Sequence, residues 1–128
     1  MRLLLDTHLV IWAAEGFDRL PPAAQALVGE ADAALAYSVA SLWEMAIKGS
    51  RRGGTFDLDL PVLRRGLLDG GWEELPVLAA HALAAGPLPP IHRDPFDRLL
   101  RAQATAEGMM LLTSDRTLAS YPGPVRLV

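Results

Sequence analysis

Asp6, Glu44, Asp97 and Asp115 are the residues of this 128-residue chain best placed for shared chemistry, because each stands where an apolar stretch ends or where a helix begins. Asp94 adds a fifth carboxylate one helical turn before Asp97. Carboxylates about 5 Å apart repel by roughly 3 kcal/mol per pair at an effective dielectric of ~20, so four ionised acids gather only with protons or a cation among them. An all-oxygen donor set in a chain without cysteine favours a hard divalent ion, Mg2+ or Mn2+, over zinc. Each acid also has an ordinary structural use. Asp6 and Asp115 read as N-caps of the helices that follow them, Asp94 as a cap more than a ligand, and Asp97 as the reciprocal partner of that cap. Glu44 either closes a capping box with Ser41 or pairs with Lys48 one turn on. The metal reading rests on the set, since capping does not require two apolar strands to end in acids.

The elements that must position these acids alternate between strand and helix. Residues 2–6 read as a short buried strand ending in Asp6, and residues 7–14 as the helix leaving it. Pro21 and Pro22 open a second helix that runs through Val28 and ends near Gly29. Residues 33–37 form a second apolar run, followed by Ser38 and Ser41 as competing caps for a third helix. Its expected buried stripe is Val39, Leu42, Trp43, Ala46 and Ile47, with Glu44 beside the stripe. Residues 49–59 read as a polar loop, and Pro61 starts a fourth helix that stops at Gly70 and Gly71. Residues 72–77 suit an edge strand, residues 78–85 a short helix, and residues 86–90 no regular structure. Asp94 as cap and Pro95 at the first helical position begin a helix to about Glu107, with Gly108 as its stop. Residues 109–113 form a fourth strand ending at Ser114 and Asp115, a short helix follows, and residues 125–128 add a last strand.

This order predicts an α/β fold: a single domain over residues 1–128 with a central parallel sheet of four to five strands, covered on both faces. In such a sheet the connecting helices run opposite to the strands, so strand ends and helix starts share one edge, where ligands bind. Asp6, Glu44, Asp97 and Asp115 then all reach one cleft.

Apolar residues make up 51% and charged residues 21% of the chain, which excludes a disordered polar chain. No apolar run approaches the ~20 residues of a membrane helix, and Asp6 interrupts the leucines behind Arg2 too early for a secretory signal, so a cytoplasmic protein is expected. The net charge of -3 counts against a nucleic-acid ligand only until the four acids are set aside, which leaves the remainder at +1. His81 reads as structural, while His8 and His92 flank the cleft without metal-ligand spacing. Trp12, Trp43 and Phe96 fit core stripes better than a stacking platform. Lys48, Arg51 and Arg52 form one basic cluster and Arg93, Arg98 and Arg101 another, both beside proposed ligands.

Leu3-Leu4-Leu5-Asp6-Thr7-His8, Ser41-Leu42-Trp43-Glu44, His92-Arg93-Asp94-Pro95-Phe96-Asp97-Arg98 and Leu112-Thr113-Ser114-Asp115 together resemble the PIN-domain ribonucleases, and within them the VapC-type toxins of toxin-antitoxin pairs. The resemblance spans nearly the whole chain. It implies an α/β/α sandwich, an endoribonuclease dependent on Mg2+ or Mn2+, a homodimer and a cognate antitoxin partner. It carries over Asp6, Glu44, Asp97 and Asp115 as catalytic and metal-binding acids, with Asp97 preferred to Asp94 as the direct ligand. It further implies hydrolysis by a water acidified at an ion held chiefly by Asp6 and Asp97, leaving 5'-phosphate and 3'-hydroxyl ends. Thr113, Ser114 or His8 would contact the phosphate, and the arginines would track the RNA backbone.

Two regulatory alternatives share the architecture. A phospho-accepting receiver domain also puts acids at strand ends, but it resembles this chain poorly because it relies on a lysine at the end of its last strand, and Lys48 falls in a helix. A protein-binding module with the same fold would bind no metal. A phosphatase of the haloacid dehalogenase type needs an acid where His8 stands. Leu- and Ala-rich helices suit both a dimer face and a groove for an antitoxin helix, whose arginine or lysine would reach the acids.

Overall fold

The computed structural model describes residues 1–50, 58–88 and 94–128. Within them β1 (Arg2–Leu5), β2 (Ala34–Ser38), β3 (Glu73–Leu75), β4 (Met110–Thr113) and β5 (Val125–Leu127) form one sheet in the order β3-β2-β1-β4-β5. All four pairings are parallel, with Leu4 opposite Ala36 on one side and Leu111 on the other. The chain leaves β1 toward β2 and later returns to β4 on the opposite side. The crevice where the strand order reverses therefore opens between the carboxyl ends of β1 and β4.

Successive side chains of β1 enter opposite layers, which is why its leucines read as a continuous run. Leu3 and Leu5 pack with Tyr37 and Leu112 under α1 (Thr7–Glu15), α2 (Pro22–Val28), α3 (Val39–Ser50) and α4 (Leu60–Asp69), through Leu9, Ala24, Met45 and Leu63. Leu4 packs with Ala36 and Leu111 under α6 (Pro95–Glu107) and α7 (Arg116–Ala119), through Leu100, Ala104 and Leu118. The result is the expected α/β/α sandwich. Between β3 and α6 lies α5 (Ala79–Ala85), held by a buried His81. His81 Nδ1 accepts from the Leu78 N–H at 3.0 Å, and its Nε2 lies 2.8 Å from Glu107, so this histidine is structural as expected.

Helix ends follow their local chemistry. Asp94 accepts from the Phe96 N–H at 2.9 Å, Pro95 opens α6, and Gly108 closes it with φ of 67°, a left-handed conformation that suits glycine. Of the two competing serines, Ser38 caps α3, accepting from the Ala40 N–H at 3.0 Å. The expected stripe of α3 is not the buried one. Trp43 is 62% exposed and Val39 37%, while Ala40, Ser41, Glu44 and Met45 are buried and Leu42, Ala46 and Ile47 lie between. A periodicity reading sends polar residues to solvent, whereas here Ser41 and Glu44 turn inward because they line a polar site. The helix also runs to Ser50, past the expected start of the loop. The rest of that loop up to residue 57, with Arg51 and Arg52, and Pro89, Pro90, His92 and Arg93 lie outside the described residues. Among the described residues no helix is long and apolar enough to cross a membrane.

Candidate active site

A cavity of about 350 Å3 opens at the carboxyl edge of the sheet, and Asp6, Glu44, Asp94, Asp97 and Asp115 all line it, with Thr7, His8, Trp12, Lys48 and Ser114. Each acid arrives by a separate route. Asp6 immediately follows β1 and caps α1, its Oδ1 accepting from the Leu9 N–H at 3.0 Å. Asp115 lies just beyond β4 and caps α7, accepting from the Thr117 and Leu118 N–H groups at 2.8 and 3.4 Å. Asp97 stands in the first turn of α6, where the helix dipole favours a carboxylate. Glu44 comes inward from α3.

Asp6 and Glu44 are buried, at 5% and 2% exposure, whereas Asp94, Asp97 and Asp115 are half-buried. Burial pushes the Asp6 carboxyl above its ordinary value; hydrogen bonds from Thr113 and the Leu9 N–H and the nearby His8 pull against that, and the Glu44 charge adds to it. Both Glu44 oxygens are engaged. Thr7 Oγ1 donates to Oε1 at 2.6 Å and also lies 3.0 Å from Ser41 Oγ, while the Lys48 ammonium pairs with Oε2. Lys48 also stands 3.6 Å from Asp94. The pairing with Lys48 is thus realised for Glu44, and the capping box with Ser41 is not.

Among the described residues, five carboxylates against one lysine give the cavity a surplus of negative charge, and these oxygen donors fit a hard divalent cation. Among the described residues no three His, Asp or Glu side chains stand already assembled as a metal cage. With Glu44 turned onto Thr7 and Lys48, the wall carries an internal counter-ion instead.

Several expected contacts are reassigned. Thr113 does not face substrate: it is fully buried, its Oγ1 donates to Asp6 Oδ2 at 2.5 Å, and it accepts from the Asp115 N–H at 3.0 Å. Arg101 is buried and donates to the Pro122 carbonyl, and one Arg98 terminal nitrogen donates to the carbonyls of Ala85, Gly86 and Leu88 at 3.1, 2.8 and 3.1 Å. These two arginines tie loops to α6 rather than tracking a backbone. Trp12 is half-buried at the cavity wall, not wholly in the core, and Trp43 points to solvent. Ser114 and His8 are exposed at the cavity as expected. Sequence reasoning missed the supporting hydroxyls Thr7 and Ser41, and the buried Gln103 that accepts from Ser38 at 2.7 Å beneath α3. A hydroxyl next to each strand-end acid, Thr7 after Asp6 and Thr113 two before Asp115, was the available signal.

The Thr113 hydroxyl orients two acids at once. Thr113→Val is expected to cost about 1–3 kcal/mol of stability in urea melts, because it leaves a buried Asp6 oxygen without its donor, and Thr113→Ser should restore most of the loss. A loss in Thr113→Ser with none in Thr113→Val, which keeps the γ-methyl, would assign the effect to packing of that methyl.

The family model that matches this chain is the PIN domain, over residues 3–124. The chain belongs to the PIN-domain family. A sequence relative of this PIN domain is Ribonuclease VapC22 of Mycobacterium tuberculosis (strain ATCC 25618 / H37Rv), 32% identical over 133 aligned positions that cover 95% of this chain and 93% of the relative. Solved structures share the fold at lower identity. VapBC2 from Rickettsia felis, bound to a DNA fragment from its promoter, superposes with a TM-score of 0.68 at 17% identity, covering 100% of this chain and 99% of that one. A toxin-antitoxin complex from Klebsiella pneumoniae gives 0.67 at 19% identity, covering 97% and 95%. The five-stranded parallel sheet of this PIN domain is therefore shared with toxin-antitoxin proteins.

Proposed function

We propose that this PIN domain is a divalent-metal-dependent endoribonuclease and the toxin of a toxin-antitoxin pair. The observation that carries the reading is the convergence of Asp6, Glu44, Asp97 and Asp115, with Asp94, on one cavity at the switch point of a PIN sheet. Kinship with a protein named as a ribonuclease supports the RNA substrate. Asp6, Asp97, Glu44 and Asp115 would hold Mg2+ or Mn2+, with Asp97 preferred to Asp94 as the direct ligand. When bound, such an ion supplies Lewis-acid charge at the phosphate and lowers the pKa of a water. The chain's own part is to fix the acids: the α1 and α7 N-termini hold Asp6 and Asp115, Thr113 joins them, and Thr7 orients Glu44. The cavity's negative surplus also suits neutralisation by a basic side chain of an antitoxin, in keeping with the toxin-antitoxin assemblies that share the fold. A homodimer is part of the same reading, through the exposed apolar residues such as Leu83, which is 76% exposed.

Sequencing the 5' ends of cellular RNA after brief induction tests it. Wild type should create new 5'-phosphate ends at a restricted set of sites, and Asp6→Asn should create none. Identical end profiles in the two strains would reject the ribonuclease reading.

A further inference from the structure

One stretch of the cavity wall is aromatic. His8 and Trp12 lie one turn apart on α1, their ring centroids 6.1 Å apart and their planes inclined by 58°, and both line the same cavity as the acids. Their settings differ. His8 is exposed, whereas the Trp12 indole is half-buried and braced against the main core cluster that contains Leu9 and Ile11. A braced indole is a rigid surface that loses little freedom when something stacks on it. The rest of the described wall is polar or charged, so nothing else there offers a flat apolar face.

We propose that the Trp12 indole, with His8 at its edge, forms a stacking shelf for one unpaired nucleobase beside the scissile phosphate. The inference rests on the ribonuclease reading for the phosphate's position and adds what holds the base. Asp6 caps the helix that carries both rings and lines the same cavity, so a phosphate brought to the acids and a base on the shelf share one cavity. In a duplex each base is already stacked and paired, and the shelf has no free face to meet. Stacking on an aromatic side chain tolerates any base, so the shelf selects strandedness and not sequence.

The test uses an oligoribonucleotide with a mapped cleavage site, the same oligonucleotide with an abasic nucleotide on either side of that site, and its blunt duplex. Wild type should cut the single strand and spare the duplex. Trp12→Leu should raise KM about tenfold while keeping most of kcat, Trp12→Phe should stay near wild type, and His8→Ala should fall between them. One of the two abasic substrates should show the same rise in KM with wild type and no further rise with Trp12→Leu, since both remove the same contact. Intrinsic tryptophan fluorescence gives a readout independent of cleavage: in the Asp97→Asn background the single strand should quench emission, and Trp12→Phe should remove that quench. Additive losses from the abasic site and Trp12→Leu, or a quench that survives Trp12→Phe, would overturn the shelf. A wild-type protein that quenches on RNA but cuts nothing would keep the shelf and reject the ribonuclease reading. If Trp12→Leu lowers the melting temperature, His8→Ala and the abasic substrates decide alone.

Discussion

Asp6→Asn and Asp97→Asn are each expected to reduce metal-dependent RNA cleavage by about a thousandfold or more while leaving the fold intact. Roughly 4 kcal/mol of lost charge stabilisation is enough for that factor, and a divalent ion supplies several. The two variants should part company in stability. Asparagine keeps an oxygen to cap α1 through the Leu9 N–H, and its amide NH2 can donate to the Thr113 hydroxyl in place of the bond that Oδ2 accepts, so Asp6→Asn sacrifices little structure. It also removes a carboxyl that burial pushes above its ordinary value. A raised value in the folded state means that the native protein holds the Asp6 proton more tightly than the unfolded chain does. The ionised form therefore costs stability above the folded-state value, and the cost fades as pH falls through it. In EDTA at neutral pH, Asp6→Asn should melt above wild type, and the gap should narrow on acidification. Asp97, half-buried on the first turn of α6, is less desolvated than Asp6, and Asp97→Asn should change stability little. Thermal melts across pH check the stability half, and cleavage with Mn2+ or Mg2+ checks the other. Full activity in either variant, or in excess EDTA, would remove these acids from the chemistry.

The parts of this molecule that can be read from sequence are the local ones. Strand ends and helix starts are local features. Leu3-Leu4-Leu5 before Asp6, and Asp94-Pro95 before Asp97, announce themselves through apolar runs and capping residues, and one topological rule then brings them to a common edge. What failed was inference about faces. Periodicity assumes that polar side chains seek water, and α3 violates it because Ser41 and Glu44 find partners inside in Thr7 and Lys48. Trp43 is displaced outward by the same rotation. Arg98 and Arg101 were misread for a related reason: a basic residue near a proposed site looks electrostatic in sequence, whereas backbone carbonyls that end a turn are invisible there. The contact between Lys48 and Asp94 joins residues far apart in the chain, and no local pattern could announce it.

Lys48 is the residue on which those misreadings converge, and its removal should change metal binding and stability in opposite senses. Its ammonium is about a quarter exposed, pairs with the nearly fully buried Glu44 and stands near Asp94. Burial alone would lower its pKa, but the Glu44 hydrogen bond and the charges of Glu44, Asp94 and Asp97 more than offset this and raise it. The clamp's contribution is accordingly complete below the unfolded lysine value of about 10.4 and is lost only as pH rises through the higher folded value, so physiological pH does not open it. Lys48→Met leaves Glu44 buried without its counter-ion. Breaking a fully buried pair costs about 3–5 kcal/mol, and the partial exposure of Lys48 puts the expected loss in EDTA nearer 2 kcal/mol. The same change removes a positive charge that competes with a divalent ion for Glu44, so Mn2+ should bind roughly tenfold more tightly. Because the ion binds the folded state, added Mn2+ should then raise the melting temperature of Lys48→Met more than that of wild type. Urea melts in EDTA and calorimetric titration with Mn2+ measure the two arms. Weaker Mn2+ binding in Lys48→Met would make the lysine a support of the metal site and not its competitor, whereas unchanged stability in EDTA would show that Glu44 does not depend on it.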